Sequence, residues 1–559
     1  MPSRGTRRGL PGLVPSIESS GSIGTPTAAF VLTCPQPFVP RSASSSARGA
    51  PRWAALLPLD REAVAPLQAQ LRAGLVSAIA SRVLPPAARL PSTRDLAEQL
   101  GVARNTVVLV YRTLAEEGWL LASARSGHAV NPAAADMPVP VGWRREHEPA
   151  AGAQAGAGPV DWSARLGAGV RAMPQVAKPR DGLALPYPFV YGELDPAGFP
   201  LRAWREASRL ALRPQAVRGW AADRIDADDP ELVEQIAQRL LPRRGIRTTP
   251  DRILVTLGAQ QAISLVAATL ARGGATVGLE SPGYPDAWNT WTLHGARTLA
   301  LPLDDAGLRV STRFARCDVV QVSPSHQNPT TVTMPPARRR SLLQAALEHD
   351  LILVEDDYDS ELAFDGGANA AIKAMDEDER VVYVGSLSKT LAPGLRLGFL
   401  VGAPPLVAEA RAIRRLTVRH PPANNQRALA GFIALGHHDA AVRRLVRTLA
   451  ERSAVLCDAL RRHLPRLRFE PPAGGSSLWA LAPGGTDVDA VARYALRRGV
   501  VFDAGGVFWR GVRGAPRTGL RLGFGSIAVE RIEPGIRELA LAFAEAEGTR
   551  AIRARRHRD

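Results

Sequence analysis

The chain contains 559 residues, which is long enough for more than one domain. Its 70 Lys and Arg residues exceed its 53 Asp and Glu residues, and the resulting net charge of +17 favours an anionic partner such as nucleic acid. Three scattered cysteines indicate neither a disulfide framework nor a metal cluster, and they are typical of a protein from the reducing cytoplasm. No apolar run approaches the ~20 residues of a membrane helix, so we expect no membrane partner.

The N-terminal part of the chain predicts a tail followed by three short helices. Residues 1–55 are rich in Ser, Pro, Gly and Arg, a composition that predicts a disordered tail. Apolar residues then recur every four positions along one face of a helix, at Leu67, Leu71, Leu75 and Ile79. Two further helices follow, separated by a tight turn at Gly101. This arrangement predicts a helix-turn-helix.

The second helix of that pair opens with Arg104, Asn105 and Thr106, whose side chains can reach base edges or phosphates. Residues 118–121 and 126–130 then predict a two-stranded wing with Arg125 at its tip. The sequence LPSTRDLAEQLGVARNTVVLVYRTLAEEGWL, with SGHAV after it, resembles the GntR-type winged helix, which we assign to residues 56–131. The resemblance implies that the residues facing DNA are Arg94, Arg104, Asn105, Thr106 and the wing at Gly127. Ala103 departs from the family, which usually has Ser there, and a phosphate contact is expected to be lost.

Residues 132–182 are rich in Ala, Pro and Gly and predict a flexible linker. Beyond the linker, apolar strands alternate with amphipathic helices, which predicts a mainly parallel sheet covered by helices on both faces. Ligands bind such folds beyond the carboxyl ends of the strands. Polar clusters follow strands at 257–261, 281–285, 323–330 and 355–359. We therefore expect these clusters to meet at one edge of the sheet.

Lysine is rare in this chain, and the lysines that remain are informative. The basic residues include only Lys178, Lys373 and Lys389. A primary amine can form a Schiff base with an aldehyde, which a guanidinium cannot do. Lys178 lies in the predicted linker and Lys373 in a polar loop, so we interpret both as ordinary polar residues. Lys389 follows an apolar run that predicts a buried strand, and hydroxyl groups and an arginine that suit a phosphate lie close to it in sequence. We interpret Lys389 as a candidate pyridoxal phosphate lysine.

The polar clusters contain the other groups that pyridoxal phosphate requires. Asp356 can keep the pyridine nitrogen protonated, Asn328 and Tyr358 can donate to the phenolate oxygen, and Tyr284 offers a ring for stacking. A glycine at a strand-to-helix junction lets backbone amides bind phosphate closely. The groups that suit the phosphate are Gly258, Ala259, Gln260, Ser386, Ser388 and Arg396.

With these residues in place, residues 183–548 resemble a fold-type I, class I aminotransferase. The whole chain resembles a MocR/GabR-type transcriptional regulator. The resemblance implies an α/β fold with a large, mainly parallel sheet, a smaller C-terminal α+β subdomain and a basic tail at 549–559. It makes Lys389 the Schiff-base lysine, Asp356 the pyridine partner and Arg396 a phosphate ligand, and it nominates Arg521 for the carboxylate of an effector. It also implies a homodimer that binds double-stranded operator DNA and senses pyridoxal phosphate, or an amino compound, through an aldimine at Lys389.

The sequence alone leaves several alternatives open. The first is a catalytically active aminotransferase with an accessory DNA-binding domain. Its basis is Asn328, because enzymes often have Asn at this position, whereas many regulators of the MocR type have an aromatic residue there. A regulator whose vestigial pocket binds no cofactor is the second. The acidic run at 355–359 could also indicate a metal site, but it contains no His or Cys, and we expect no metal.

Overall fold

The computed structural model describes residues 53–63, 65–123, 127–136, 161–166, 169–179, 181–365, 370–512, 514 and 516–556. The chain divides into two compact units, Met1–Val160 and Asp161–Asp559. Most of the predicted tail, at residues 1–52, lies outside the described residues, as do Arg125 and residues 137–160 of the predicted linker. Within the described ranges, no helix has both the length and the apolar character needed to cross a bilayer.

The first unit is a winged helix. Its elements are α1 (Trp53–Leu56), α2 (Leu67–Ala80), α3 (Thr93–Leu100), α4 (Arg104–Glu116), β1 (Leu120–Ser123) and β2 (Gly127–Val130). The two strands pair antiparallel and form the predicted wing. Trp53 is buried in the core of this unit, so its fold begins slightly before the predicted boundary at residue 56.

Local interactions determine where helix α3 of the helix-turn-helix begins and ends. Ser92 caps the helix, and its side chain accepts a hydrogen bond from the Asp95 backbone N–H. Gly101 ends the helix in the left-handed conformation, with φ of 63°, where a side chain would be strained. Ala103 precedes α4 and provides no side-chain cap. Leu96, Val110 and Leu114 then lie buried in the core between the helices.

The second unit is a large α/β structure. Its helices are α5 (Trp162–Leu166), α6 (Leu201–Ala211), α7 (Pro214–Trp220), α8 (Pro230–Gln235), α9 (Ala259–Leu270), α10 (Pro285–Leu293), α11 (Pro336–Glu348), α12 (Pro404–Thr417), α13 (Ala423–Ala434), α14 (His437–His463), α15 (Val488–Arg497) and α16 (Val529–Arg556). Its strands are β3 (Tyr187–Pro188), β4 (Ile253–Thr256), β5 (Thr276–Ser281), β6 (Arg297–Asp304), β7 (Gly307–Leu308), β8 (Val319–Val322), β9 (Ile352–Asp357), β10 (Val381–Ser386), β11 (Gly398–Val401), β12 (Arg468–Phe469), β13 (Ser477–Leu481), β14 (Val500–Val501), β15 (Asp503–Ala504) and β16 (Gly519–Gly523).

An eight-stranded sheet forms the centre of this unit, in the order β4-β11-β10-β9-β8-β5-β6-β7. The five strands from β10 to β6 in that order run parallel to one another. Strand β11 is antiparallel to both β10 and β4, and β7 is antiparallel to β6. Every residue of β4, β8 and β11 is buried, which explains why these strands are uninterrupted apolar runs in the sequence. The expectation of a mainly parallel sheet is confirmed.

A smaller C-terminal part begins with α14. It contains a four-stranded sheet in the order β12-β13-β16-β15, and helices α14, α15 and α16 pack with it into a separate apolar core. Helix α16 continues to Arg556, so the predicted tail at 549–559 is helical over most of its length. The short strands β14 and β3 pair in parallel and join the start of the unit to this C-terminal part.

Candidate functional site

The predicted clusters do lie at one edge of the large sheet, because their strands are parallel and end at a common level. In the register of β9 and β10, Asp356 pairs with Val384 and Asp357 with Gly385. Lys389 follows three residues after the end of β10. The loops after β4, β5 and β8 carry the remaining clusters.

Lys389 is half-buried at this edge, with its amine against an aromatic ring. Its Nζ lies 4.8 Å from the centre of the Tyr191 ring. The neighbouring Gly192 has φ of +81°, which favours glycine, and a Cβ there would lie 2.8 Å from Nζ of Lys389, so a side chain at this position would displace the amine. Burial lowers the pKa of Lys389 to about 8, and the nearby Lys178 contributes to that shift. A substantial share of Lys389 is therefore neutral near pH 7.5 and able to act as a nucleophile.

Asp356 is a buried carboxyl group with an unsatisfied oxygen. The residue is 4% exposed, and its Oδ1 has no hydrogen-bond partner among the described residues. Burial and the like charges of Asp357 and Asp359 raise the pKa of Asp356 to about 7, although the charge of Lys389 opposes that shift. A buried carboxylate without a donor is costly, so Asp356 Oδ1 is a position where a ligand N–H would be strongly favoured.

The rest of the acidic run points elsewhere, because alternate residues of β9 face opposite sides of the sheet. Glu355 accepts the backbone N–H groups of Ile372 and Lys373 at 2.9 Å each. Asp357 Oδ2 accepts hydrogen bonds from Arg244 Nε at 2.9 Å and the Tyr383 hydroxyl at 2.7 Å. Although burial raises the pKa of Asp357, these donors hold it below its ordinary value.

Beyond the strand, Asp359 Oδ1 lies 2.9 Å from Nδ1 of His326. Burial lowers the pKa of His326, but the Asp359 charge outweighs burial and raises it overall. Asp359 is therefore paired with His326. Asp357 Oδ1 also lacks a hydrogen-bond partner among the described residues, but the other oxygen of that carboxylate is bound by Arg244 and Tyr383. We therefore regard Asp356 as the candidate acid for a ligand. Among the described residues, no three His, Cys, Asp or Glu side chains are grouped so as to hold a metal ion.

Tyr284 and Gln260 come together from two different loops. The Tyr284 hydroxyl donates to Gln260 Oε1 at 3.0 Å and lies 3.2 Å from Asp286 Oδ2. Burial raises the pKa of Tyr284, so its hydroxyl stays protonated and remains a donor. Gln260 also donates from Nε2 to the Thr290 hydroxyl at 2.9 Å. These bonds fix the loop after β5 against the first turn of α9.

The predicted phosphate cluster is brought together around Gly258. This glycine has φ of +81° and precedes α9, whose first backbone N–H groups, at Ala259 and Gln260, have no acceptor in the preceding turn. The Arg396 guanidinium lies beside it, since a Cβ on Gly258 would be 3.2 Å from Arg396 Nη2. Arg396 Nη2 also donates to the Leu257 carbonyl at 3.0 Å. A helix N-terminus beside an exposed guanidinium is suited to an anion.

The two predicted serines differ in their surroundings. Ser386 ends β10 at the sheet edge, and its hydroxyl lies 3.4 Å from the backbone N of Ser388. Ser388 is buried, and its hydroxyl donates to the Leu397 carbonyl at 3.1 Å and accepts from the Leu397 N–H at 3.2 Å. The Ser388 hydroxyl thus clamps the loop to the start of β11, and its predicted role as a phosphate ligand gains no support from these contacts.

Arg521 is buried on β16 and is held on three sides. Its Nε and Nη2 donate to Asp503 Oδ2 at 2.9 and 2.8 Å, and its Nη1 donates to Asn328 Oδ1 at 2.9 Å. The guanidinium carbon lies 3.9 Å from the centre of the Tyr191 ring and 4.7 Å from that of Phe508. Arg521 has five N–H groups, so these contacts fix the fork and leave donors on Nη1 and Nη2 for a carboxylate.

Tyr358 is close to the site, but its hydroxyl has a protein acceptor. It donates to the backbone carbonyl of His326 at 2.7 Å. The Tyr358 ring meets the Tyr191 ring edge-on, with the centres 6.5 Å apart. Its predicted hydrogen bond to a phenolate oxygen would require this hydroxyl to change partners or to share its proton.

The predicted DNA-facing residues of the first unit that the structure describes are exposed or half-buried. Arg104 and Asn105 are exposed at the first turn of α4, and Thr106 is half-buried. Arg94 is exposed on α3, and Gly127 is exposed at the start of the wing strand β2. Val108 and Leu109, which were not predicted, are 38% and 36% exposed on the same helix. The start of α4 therefore exposes both hydrogen-bond donors and apolar groups, and both kinds of group can contact base edges.

Comparison with known families accounts for both units. Residues 67–130 match the family described as bacterial regulatory proteins, gntR family, and residues 192–509 match aminotransferase class I and II. The chain is 39% identical to the HTH-type transcriptional regulator TauR of Rhodobacter capsulatus, over 85% of this chain and 96% of that protein. It is 32% identical to the probable rhizopine catabolism regulatory protein MocR of Rhizobium meliloti, over 89% of this chain and 98% of that protein.

The chain belongs to the MocR-type transcriptional regulators. As expected, this regulator has a fold-type I aminotransferase domain that follows the winged helix in the sequence. Among solved structures it resembles LysN, the alpha-aminoadipate aminotransferase of Thermus thermophilus, solved with N-(5'-phosphopyridoxyl)-L-leucine. The TM-score is 0.63 with 28% identity, and the match covers 70% of this chain and all of that one.

Three residues of this MocR-type regulator lie at the site without having been predicted there. Tyr191 contacts both Lys389 and Arg521, and Asp503 holds Arg521. Lys178 borders the same glycine as Lys389. Tyr191 lies in an aromatic stretch that indicates the start of the domain. Nothing else in the sequence indicates that Tyr191 belongs to the site. The presence of a lysine at position 178 of an arginine-rich chain could have indicated a site residue, but we interpreted it as an ordinary linker residue.

Proposed function

We propose that this regulator binds pyridoxal phosphate at Lys389 and changes its hold on operator DNA when the cofactor, or an amino compound that reacts with it, occupies the site. The observation that carries the proposal is the pairing of a half-buried, easily deprotonated amine with a buried carboxyl group whose Oδ1 has no partner among the described residues. An aldehyde needs the first group, and a protonated ring nitrogen needs the second.

The residues present fit the cofactor. Lys389 would hold the aldehyde, and Asp356 would hold the pyridine nitrogen with the oxygen that otherwise has no hydrogen-bond donor in the described part of the chain. The other contacts divide by the part of the cofactor that they suit. Tyr284 would stack, Asn328 and Tyr358 would reach the phenolate oxygen, and the phosphate would lie near Gly258, Ala259, Gln260, Ser386 and Arg396.

Pyridoxal phosphate supplies an aldehyde that condenses reversibly with primary amines, so Lys389 and an amino compound compete for one carbon atom. The protein's own residues decide which amine is favoured. Neutral Lys389 is nucleophilic, and Arg521 offers a carboxylate its Nη1 and Nη2 donors. An amino compound that also carries a carboxylate would therefore be held at both ends and would displace Lys389 more readily than a simple amine.

Displacing Lys389 alters charge and contacts at the sheet edge, and a change of this kind can shift an equilibrium between two arrangements of the protein. We propose that the regulator acts as a homodimer, with two winged helices that bind two half-sites of double-stranded DNA. The effector would then change operator affinity through the arrangement of those two helices.

A working aminotransferase is the second candidate function. It is favoured by Asn328, whose Oδ1 accepts from Arg521 Nη1 at 2.9 Å, an arrangement in which the amide helps to orient the carboxylate-binding fork. Multiple turnovers of keto acid from an amino donor would support this function. A single, stoichiometric reaction would support the regulatory function alone.

A spectral titration tests the proposal. Purified full-length protein is mixed with pyridoxal phosphate, and its visible absorption is followed as amino compounds are added one at a time. We expect a lysine-dependent absorption band that is lost in Lys389→Ala and altered by carboxylated amines. Lys373→Ala is the matched control and should keep the band, because Lys373 pairs with Asp376 away from this site.

The same titration is repeated with operator DNA present. Operator affinity should change with effector in the wild type and not in Lys389→Ala. A band that survives in Lys389→Ala, or an operator response that does not need Lys389, would contradict the proposal.

A further inference from the structure

The chain segment that precedes the aminotransferase fold is anchored beside the site. Asn289 Nδ2 donates to the carbonyl of Pro174 at 2.8 Å. Four residues later, Lys178 Nζ donates to the carbonyl of Tyr191 at 2.7 Å. Tyr191 is the residue whose ring contacts Lys389, so the second anchor brings a charged side chain of the predicted linker to the edge of the site.

The amines of Lys178 and Lys389 approach the same glycine. A Cβ on Gly192 would lie 2.8 Å from Nζ of Lys389 and 3.7 Å from Nζ of Lys178. Both nitrogens therefore lie within a few ångströms of one backbone position. The side chain of Lys178 is 43% exposed, whereas Lys389 is half-buried, so Lys178 is the better solvated of the two.

Two like charges this close favour loss of a proton from the group that is less well solvated. Burial is the largest cause of the lowered pKa of Lys389, and the charge of Lys178 comes next. Arg521 acts in the same direction, while Asp359 and Glu193 oppose it. The charge of Lys389 in turn lowers the pKa of Asp356, so this carboxyl also interacts with the amine.

Lys178 is held in place by contacts that suit a charged ammonium group. The Tyr191 carbonyl accepts one of its protons, and Glu193 Oε1 lies 3.8 Å away, at the length of a loose ion pair. These contacts fix the Lys178 ammonium group beside the amine of Lys389. The interpretation of Lys178 as an ordinary polar residue does not account for these contacts.

We propose that Lys178 is a positioning residue of the site, whose ammonium group favours the neutral form of Lys389, the form that can attack an aldehyde. The inference rests on the proposed function for its purpose, since only an aldehyde ligand needs a neutral Lys389. The effect on Lys389 itself is present without any ligand and can be measured on the protein alone.

The three lysines of the chain make that measurement direct. Cofactor-free, full-length protein is labelled with a trace of acetic anhydride across a series of pH values, and acetylation of each lysine is followed by mass spectrometry of its peptide. Lys373 is the internal reference. In Lys178→Gln, which keeps a donor for the Tyr191 carbonyl and removes the charge, the midpoint of Lys389 labelling should rise by about half to one pH unit.

Two further variants separate charge from structure. Lys178→Arg keeps the charge and should leave the Lys389 midpoint near the wild-type value, whereas Lys178→Met is a second neutral variant and should raise it. A Lys389 midpoint that is the same in the wild type and both neutral variants would overturn the inference. So would a rise in Lys178→Arg as large as that in Lys178→Gln, because the effect would then be structural.

Uptake of pyridoxal phosphate distinguishes the two proposals. At pH 7, Lys178→Gln should take up the cofactor about 3- to 10-fold more slowly than the wild type, and raising the pH should restore the rate. If the wild type takes up no cofactor, the proposed function fails, and the labelling midpoint still decides the role of Lys178. If the wild type and Lys178→Gln take it up with the same pH dependence, the inference fails and the proposed function stands.

Discussion

Replacing Asp356 with Asn should stabilise the cofactor-free protein, and the gain should increase with pH. The pKa of Asp356 is raised to about 7, mainly by burial, against about 4 for an unfolded Asp. A carboxyl group of this kind binds its proton more tightly in the folded state, so its contribution to folding becomes less favourable as the pH rises from about 4 to about 7. Asn has no charge to bury and avoids that loss.

The magnitude follows from the difference of about 3 pKa units. Fully ionised, the carboxylate costs about 4 kcal/mol as an upper bound, and relaxation around it reduces the expected gain to about 2 kcal/mol at pH 8. At pH 5 less than half of that gain should remain, because folded Asp356 is then mostly protonated. A gain of about 2 kcal/mol corresponds to a rise in Tm of roughly 2–3 °C for a unit of this size.

The assay is thermal unfolding of the cofactor-free, full-length protein from pH 5 to pH 8, with wild type and variant measured side by side. Asp378→Asn is the matched control, since Asp378 is exposed and its substitution should change the Tm little at any pH. The same Asp356→Asn variant should bind pyridoxal phosphate at least about tenfold more weakly, because the charged partner that we propose for the ring nitrogen is lost. A Tm gain that is constant with pH, or a loss at pH 8, would refute the reasoning.

Three further predictions concern other parts of the molecule. Arg104→Ala should weaken operator binding and reduce the slope of log affinity against log salt by about 1. The control Arg112→Ala, on the same helix and paired with Glu116, should change the slope less. Equal slopes in the wild type and Arg104→Ala would count against a phosphate contact. Arg521→Lys should weaken binding of carboxylated amines by about 10- to 100-fold in a spectral titration and leave simple amines less affected, and an equal loss for both classes would point to a structural role. Arg244→Met should destabilise the second unit by about 3–5 kcal/mol in urea unfolding, because buried Asp357 would lose its charged partner, and a change below about 1 kcal/mol would contradict that pairing.

The sequence was sufficient for the parts of the site that depend on strand ends. Lys389, Asp356 and Tyr284 each follow a buried apolar run, and parallel strands bring such positions to one edge whatever the details of packing. The winged helix was equally predictable, because Ser92 and Gly101 fix the ends of α3 by local hydrogen bonds and backbone conformation. Both inferences depend on periodicity and local chemistry, which can be recognised in a single sequence.

The partners of individual polar atoms were not predictable in the same way. Ser388 and Tyr358 are of the right type for a cofactor site, yet their hydroxyls bond to the backbone at Leu397 and His326. Asp503 and Lys178 meet their partners only after distant parts of the chain have packed together, and neither stands in a motif. Pattern and spacing identify which residues can act at a site, whereas tertiary packing decides which of their atoms are already engaged.

The two central groups of the site are both held away from their ordinary charge states. Near neutral pH the Asp356 carboxyl is partly protonated and the Lys389 amine is partly deprotonated, since their pKa values are about 7 and about 8. A ligand that brings a positive N–H to Asp356 and engages the Lys389 amine would remove both perturbations at once. Some of the binding free energy would then come from relief of unfavourable burial, so occupancy should stabilise the second unit strongly. A site that is unfavourable when empty makes the state of the protein depend on its ligand, which is the property that a sensor requires.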